Sequence, residues 1–373
     1  MGPRSRCRIA VLIKVALVGE AGRESQGMSA VDRVVVLGAS AGGVESLREA
    51  LCELPADFPA AICVVLHVPA YRPSSLPKIL SDCCKLKAVH PEDGAMMKAG
   101  HIYVAPPDHH LLIDGHSLAV KKGPKENRFR PSIDALFRSA AYCYGPRAIG
   151  VVLSGALDDG TSGLWSVKRL GGVAIVQEPS DARFDSMPKS ALEYVEIDHK
   201  LPAREISALL SRLVQEQPAV PPPEDPVLKA RMELEIKIAE EDDAFRKGIF
   251  DGAEFTPFTC PECHGVLVKI VEGKMARFRC HTGHAYTDSS LLEGVMEATG
   301  EMLWQVMRSL EEGVMLLNQM GQSLQVAGNS ERAKIFFEKA QELEKRSDTF
   351  HETVLKHESL SGDNLGQDTQ KDP

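Results

Sequence analysis

Gly38-Ala39-Ser40-Ala41-Gly42-Gly43 follows the apolar run Val34-Val35-Val36-Leu37 and precedes helix-like sequence from Val44 to Cys52. This is a G-x-S-x-G pattern at a strand-to-helix turn, the geometry that presents a serine hydroxyl on a tight bend at the head of a helix. Two more strand-like runs end in polar residues. Ile62-Cys63-Val64-Val65-Leu66 stops at His67, and Ile149-Gly150-Val151-Val152-Leu153 passes through Ser154-Gly155 to Asp158-Asp159-Gly160. The carboxyl ends of parallel strands in an open sheet converge on one crevice. A serine, a histidine and an aspartate meeting there supply a nucleophile, its base and the group that orients the base. The chain reads as a hydrolase.

Each member of that trio has a rival. A glycine-rich turn after a first strand also cradles dinucleotide phosphates. That fingerprint wants G-x-G-x-x-G with an acidic residue about twenty positions on, whereas the second strand here ends in His67. His109-His110, after the third strand, offers another base, and Asp158 competes with Asp159 as orienter. The order Ser…His…Asp also departs from the Ser…Asp…His order of α/β-hydrolases, which excludes a plain lipase or esterase.

The elements that must position these residues alternate. Strands are expected at 33–38, 61–67, 101–105, 149–154 and 173–177, with helices at 42–53, 74–82, 131–143, 161–170 and 186–195. This alternation predicts an α/β fold, a doubly wound and mostly parallel sheet. Leu111 to Val120 reads as a hairpin about Asp114-Gly115, so the sheet is expected to carry an antiparallel edge. A helix over about 203–216 closes the domain. Residues 217–226 form a proline-rich linker, stiff and extended. A helical connector over 227–254, a compact cysteine and histidine segment over 255–288 and a helical tail over 289–360 follow. Ala327-Gly328-Asn329-Ser330 breaks that tail into two helices. In the tail Met302, Leu303, Met307, Leu310, Val314 and Leu317 make one apolar stripe, suited to packing or to a homodimer. The polar end, 361–373, is expected to be disordered.

At 373 residues the chain suggests two or three domains. A net charge of -9 and a pI near 5.8 argue against nucleic acid as a partner, because phosphate binding wants a basic surface. No apolar run reaches the eighteen or so residues that a membrane span needs, so no membrane insertion is expected. Arg4, Arg6 and Arg8 ahead of the apolar stretch Ile9 to Val18 faintly resemble a signal peptide. Lys14 interrupts that stretch, however, and no small-x-small cleavage site follows. Residues 1–30 are therefore expected to be a disordered or non-native leader with Met28 as a candidate start, and the protein is expected to be cytoplasmic.

Of nine cysteines, Cys7, Cys52, Cys63, Cys83, Cys84 and Cys143 are scattered, mostly in apolar contexts, and read as small hydrophobes rather than a disulfide framework. Cys260-Pro261-Glu262-Cys263 and, after sixteen residues, Cys280-His281-Thr282-Gly283-His284 differ. The spacing C-x2-C then C-x3-H gives four soft ligands, Cys260, Cys263, Cys280 and His284, for a closed tetrahedral zinc site. His281 is the alternative fourth ligand. Val266-Leu267-Val268 and Ala276-Arg277-Phe278-Arg279 look like strands of a ribbon around it. Four protein ligands leave no open position, so the metal is expected to be structural, with no cofactor in catalysis. Folding of residues 255–286 is expected to depend on that metal, whereas the preceding domain, joined through a proline linker, is expected to fold and work without it.

Several separated blocks resemble the CheB-type protein-glutamate methylesterases: Gly38 to Gly43, Leu66-His67-Val68-Pro69, Tyr103-Val104-Ala105-Pro106, Phe129 to Asp134, Leu153 to Gly160, and Phe184 to Ala191 with Met187-Pro188. The resemblance covers roughly residues 32–215, with the blocks in the right order. It implies a doubly wound α/β esterase domain in which Ser40 is nucleophile, His67 base and Asp159 orienter. It also implies hydrolysis of glutamate methyl esters on a methylated chemoreceptor or receptor-like signalling protein, and deamidation of glutamine by the same acyl route. Backbone amides at the helix start, Ala41 and Gly42, would hold the oxyanion.

The chain departs from that family in three ways. Ala41 stands where a threonine is usual, and Ala156 where a methionine usually flanks the ester-binding end of the site. The family also usually carries an N-terminal receiver domain, and about thirty residues before the first strand are too few for one. Control by receiver phosphorylation within this chain is therefore not expected. A similar Cys-Cys-Cys-His tail occurs behind some stand-alone members. The rival class is a signalling adaptor that keeps the esterase fold and the zinc-ribbon tail for docking.

Overall fold

The computed structural model describes residues 31–241 and 244–358, so the expected leader and the polar C-terminus lie outside the described residues. In chain order the first elements are β1 (Val34–Ala39), α1 (Gly43–Leu51), β2 (Ala61–Leu66), α2 (Leu76–Cys83), β3 (Lys87–Val89), β4 (Ala95–Met96) and β5 (His101–Val104). Then come β6 (His110–Asp114), β7 (Ser117–Lys121), α3 (Ile133–Tyr144), β8 (Ala148–Val152), α4 (Thr161–Arg169), β9 (Val173–Gln177), α5 (Ser186–Tyr194), β10 (His199–Leu201) and α6 (Ala203–Leu213). The tail holds α7 (Pro226–Glu240), β11 (Glu254–Thr259), β12 (Val266–Glu272), β13 (Met275–Cys280), β14 (Ala285–Thr287), α8 (Asp288–Val326) and α9 (Ser330–Glu358).

Seven strands form one all-parallel sheet in the order β10-β9-β8-β1-β2-β5-β3. β1, β2 and β8 are buried along their whole length, which is why their sequences are continuous apolar runs rather than alternating ones. Val34 and Val36 pack with Ile133, Phe137, Leu164 and Met187 on one face. Val35 and Leu37 pack with Leu47, Leu51, Ile206 and Leu210 on the other. The chain leaves β1 toward β2, β5 and β3, then returns to β8 on the opposite side. That reversal opens a crevice at the carboxyl ends of β1 and β8, where the turns after β1, β2 and β8 meet.

Three expectations need correction. The hairpin turns at Gly115-His116, with Asp114 opposite Ser117, but it does not extend the large sheet. It joins β4 in a separate three-stranded sheet. Its apolar residues Leu111, Ile113 and Leu118 enter the core with α3, and the Ile113 amide donates to Ser139 Oγ at 3.0 Å. The connector is helical only through α7, since residues 244–252 are turns with Gly248 and Gly252 at left-handed φ of 86° and 70°. Cys52 and Cys83 are joined by a disulfide, because the end of α1 and the last turn of α2 bring their Cα atoms to 5.6 Å.

The largest difference concerns the tail. It is packed against the preceding domain through a buried charge network that sequence spacing does not reveal. β11 to β14 form a four-stranded antiparallel sheet. Arg277 and Arg279 on β13 meet Glu235 of α7 at 2.9 and 2.8 Å. Arg279 also reaches Glu126 at 2.7 Å, and Arg138 of α3 reaches Glu126 at 3.2 Å. Glu272 completes the set, paired with Arg277 at 3.0 Å and accepting from Ser162 Oγ of α4 at 2.6 Å. The three arginines and three glutamates are all nearly inaccessible to solvent. Burial alone would push the Glu126 carboxyl up, but Arg138, Arg279 and Arg277 hold it down to about 2.

Helices α8 and α9 pair as a hairpin. Gly313 and Gly321 allow the approach, since a Cβ there would sit 2.7 Å from Leu343 and from Phe337. Met307 is buried in this pair, whereas Met302, expected on the same stripe, is exposed. Among the described residues no helix is long and apolar enough to cross a membrane.

Removing one partner of a buried ion pair leaves its charge uncompensated, at a cost of about 3–5 kcal/mol. Glu126→Ala, which leaves Arg138 and Arg279 to share Glu235 and gives the network one uncompensated buried positive charge, is expected to lower unfolding free energy by up to that amount in urea titration. Lys121→Ala, at the exposed pair with Asp93, should cost less than about 1 kcal/mol. Equal effects would mean that the network does not bear on stability.

Candidate active site

Ser40 follows β1 directly, held by the hydrogen bond its amide N–H donates to the Ser154 carbonyl at 2.9 Å. Gly42 adopts φ 71°, a left-handed turn that a side chain disfavours, and a Cβ there would come within 2.9 Å of Ser154 Oγ. Gly155 is equally constrained, since a Cβ would meet Met187 Sδ at 2.0 Å and Ser40 Cβ at 2.9 Å. The tight turn after β1 and the loop after β8 are thus locked together. Ser154 Oγ donates to the Ala41 carbonyl at 2.8 Å and accepts from the Phe184 amide at 3.0 Å. Ser40, Ala41, Gly42 and Ala156 remain half-buried, open to a ligand from outside.

His67, at the end of β2, bridges the two other members. Its Nδ1 lies 3.1 Å from Ser40 Oγ and its Nε2 lies 2.8 Å from Asp159 Oδ2. The carboxylate accepts from Nε2–H, which leaves the Nδ1 lone pair facing the serine hydroxyl. Phe129 lies flat on the imidazole, with centroids 3.8 Å apart and planes 7° apart. Ring orientation is therefore fixed from both its edge and its face.

Asp159 is buried at the amino end of α3. It accepts from the Ile133 amide at 2.8 Å, Asn127 Nδ2 at 2.9 Å, the Gly160 amide at 3.0 Å, and the Asp134 amide and Ser132 Oγ at 3.1 Å. Free N–H groups at a helix start are the natural partners of a carboxylate. Burial alone would raise this group, but the bonds from His67, the Ile133 amide and Asn127 outweigh it and hold Asp159 down to about 2. It is ionised throughout the neutral range.

The structure separates the rivals left open by the sequence. Asp158 does not bond His67; its Oδ1 accepts from Thr287 Oγ1 at 2.8 Å. Burial, aided by the neighbouring Asp159, pushes it up to about 6. His109 bonds the Pro107 carbonyl at 2.9 Å, and His110 bonds the Pro124 carbonyl at 2.8 Å and the Ser132 amide at 3.2 Å. His110 supports the start of α3 and does not contact Ser40.

Asn127, Phe129 and Ser132 are site residues that spacing arguments did not single out. Asn127 Nδ2 is shared between Asp159 and Asp134, the latter at 2.8 Å. Burial and the charge of Asp159 push Asp134 well above the carboxylate range. Asn127 and Arg128 sit at φ 50° and 72°, a region that asparagine enters more readily than most residues, so an asparagine there was the one local signal in the sequence. A cavity of about 690 Å³ opens beside Phe129, walled by Lys125, Arg128, Tyr286 and residues of α8.

In the tail, one ligand atom each from Cys260, Cys263, Cys280 and His284 lies within 4.8 Å of the other three. His281 turns away, its Nε2 beside Thr282 Oγ1 at 3.3 Å.

A family model described as CheB methylesterase matches residues 35–210. A protein of Leptospira interrogans, whose name gives the activities protein-glutamate methylesterase and protein-glutamine glutaminase provisionally, is 39% identical over 182 residues, 48% of this chain and 94% of its own length. Protein-glutamate methylesterase/protein-glutamine glutaminase 2 of Rhizobium johnstonii is 36% identical over 180 residues, 47% of this chain and 49% of that protein. This chain thus spans nearly all of the first relative but about half of the second. The crystal structure of the Thermotoga maritima CheB methylesterase catalytic domain matches with a TM-score of 0.47 and 36% identity, over 49% of this chain and 98% of that one.

The two aspartates should respond differently to loss of charge. Asp159→Asn forces the wrong imidazole tautomer and is expected to cost about 10⁴-fold in turnover, whereas Asp158→Asn retains most of it. Asp158 has a folded pKa raised to about 6, so its native protonated form contributes stability that is full below the unfolded value, about 3.9, and is lost as pH rises through 6. Asp158→Asn should therefore flatten the fall in Tm between about pH 4 and 6. A steeper fall in the variant, or the reverse order of turnover, would contradict this assignment.

Proposed function

Because the chain belongs to the CheB methylesterase family, we propose that it hydrolyses glutamate methyl esters on a methylated chemoreceptor or receptor-like signalling protein, and deamidates glutamine by the same acyl route. The observation that carries this reading is the file Ser40–His67–Asp159, joined by hydrogen bonds of 3.1 and 2.8 Å at the head of a helix. Ser40 Oγ attacks the ester carbonyl while His67 Nδ1 takes its proton. The amides of Ala41 and Gly42 precede the first turn of α1, where N–H groups lack intrahelical acceptors, and they hold the oxyanion. His67 returns the proton to the departing methoxide, methanol leaves, and a glutamyl ester on Ser40 remains. Nδ1 then deprotonates water, which attacks that ester and releases glutamate. Asp159 stays ionised and pairs with the imidazolium formed in each step.

Gly155 lies against Ser40, and the half-buried Ala156 beside it is smaller than the methionine usual in the family, which leaves the ester end wider. The working location is the cytoplasm, where receptor signalling helices are reached. Exposed Met302, Trp304, Met315, Leu316 and Met320 on α8 are the surface through which a homodimer would form.

Methanol release from methylated receptor fragments tests the activity, and Ser40→Ala is expected to abolish it. A serine-directed phosphonate should label Ser40 in the wild type and not in His67→Ala. An inert Ser40 in intact protein would favour the docking adaptor instead.

A further inference from the structure

The tail's cysteine and histidine cluster and the catalytic aspartate are linked by a short, fully hydrogen-bonded path. Cys260 Sγ and Cys280 Sγ each lie 3.6 Å from His284 Nδ1, and Cys263 Sγ lies 3.5 Å from Cys280 Sγ. Four ligands around Zn²⁺ at a Zn–S distance near 2.3 Å stand about 3.8 Å apart, so these separations suit one tetrahedral cation. Both loops curl to bring their ligands inward. The His264 amide returns to the Cys260 carbonyl at 2.9 Å, and the Gly283 amide to the Cys280 carbonyl at 3.1 Å.

One residue beyond His284, the Ala285 amide donates to the Lys125 carbonyl at 3.1 Å, and its carbonyl accepts from the Asn127 amide at 2.8 Å. Two residues further, the Thr287 amide donates to Asn127 Oδ1 at 3.2 Å, as does Ser290 Oγ. The Asn127 side chain is thereby oriented with Nδ2 on Asp159. The same loop carries Phe129, which covers His67. Between ligand and triad there is only β14 and one asparagine.

We propose that Cys260, Cys263, Cys280 and His284 bind a single zinc-class cation, and that this cation, by fixing β14, holds Asn127 against Asp159 so that hydrolysis at Ser40 depends on it. Asn127 is a positioning residue: it touches no reacting atom and acts through Asp159. The dependence rests on the triad reading above, whereas the metal site does not. Arg277 and Arg279 tie β13 to the preceding domain, but the Cys260 and Cys280 loops that lead into β14 are closed on each other by the four ligands, so the ion sets the order of that end of the segment. Removing the ion frees β14, the loop slackens, and the histidine loses both its tautomer and its stacking partner.

The experiment uses the full chain. Elemental analysis should find about one zinc per chain. Dipicolinate treatment should release it and slow phosphonate labelling of Ser40 by about 100-fold, as expected for a misplaced catalytic group, with recovery on adding zinc alone. Asn127→Ala should lower kcat on a small ester by a similar factor with KM and zinc content unchanged, which a folding defect would not do. Zinc-free protein labelled at the wild-type rate, or Asn127→Ala with wild-type kcat, would overturn the coupling, and protein without metal would overturn the site. Failure of methyl-ester hydrolysis with normal zinc-dependent labelling would count against the substrate alone.

Discussion

Everything in the site turns on one buried carboxylate. Asp159 is removed from water yet ionised, and only because His67, Asn127, Ser132 and the amides of Ile133, Asp134 and Gly160 all point at it. An isolated buried carboxylate would take up a proton rather than remain charged. This constraint explains why α3 starts where it does, why Gly160 follows the aspartate, and why the loop carrying Asn127 adopts two left-handed residues in a row. The histidine tautomer, and with it the polarity of proton transfer from Ser40, follows from that charge.

The same constraint recurs in the tail. Arg138, Arg277 and Arg279 neutralise Glu126, Glu235 and Glu272 in a region without solvent, and these residues come from α3, α7, β12, β13 and the loop before α3. Charges so buried are costly unless every partner is present. The network therefore demands that α7, the ribbon and the esterase layers assemble together, and Glu126 stands beside Asn127 in the chain. Catalytic loop and tail are consequently one structural unit despite the proline-rich stretch between them.

How much of this was legible in the sequence depends on how local each cause is. The seven-stranded layer was visible at β1, β2, β5, β8 and β9 because burial on both faces leaves unbroken apolar runs. β3 and β10, three residues each at the sheet edges, carry no such run. Ser40 and His67 were legible because each ends a strand at the crevice, but Asp158 and Asp159 could be told apart only through resemblance until their hydrogen bonds were seen. The ligand spacing of the tail was plain. Its docking was not, since a short strand carrying Arg277 and Arg279 does not name their partners, and only tertiary contact with Glu126 and Glu235 makes them interior. The Cys52–Cys83 disulfide likewise depends on two helix ends meeting.

The most direct test of this account is the imidazole proton of His67, observed by NMR in protein carrying isotope-labelled histidine. A strongly downfield proton on Nε2 is expected, present in zinc-loaded wild type, absent in Asp159→Asn, and broadened or lost when the metal is removed. A proton residing on Nδ1, or an Nε2 resonance indifferent to both changes, would contradict the claim that the tail holds the catalytic carboxylate in place.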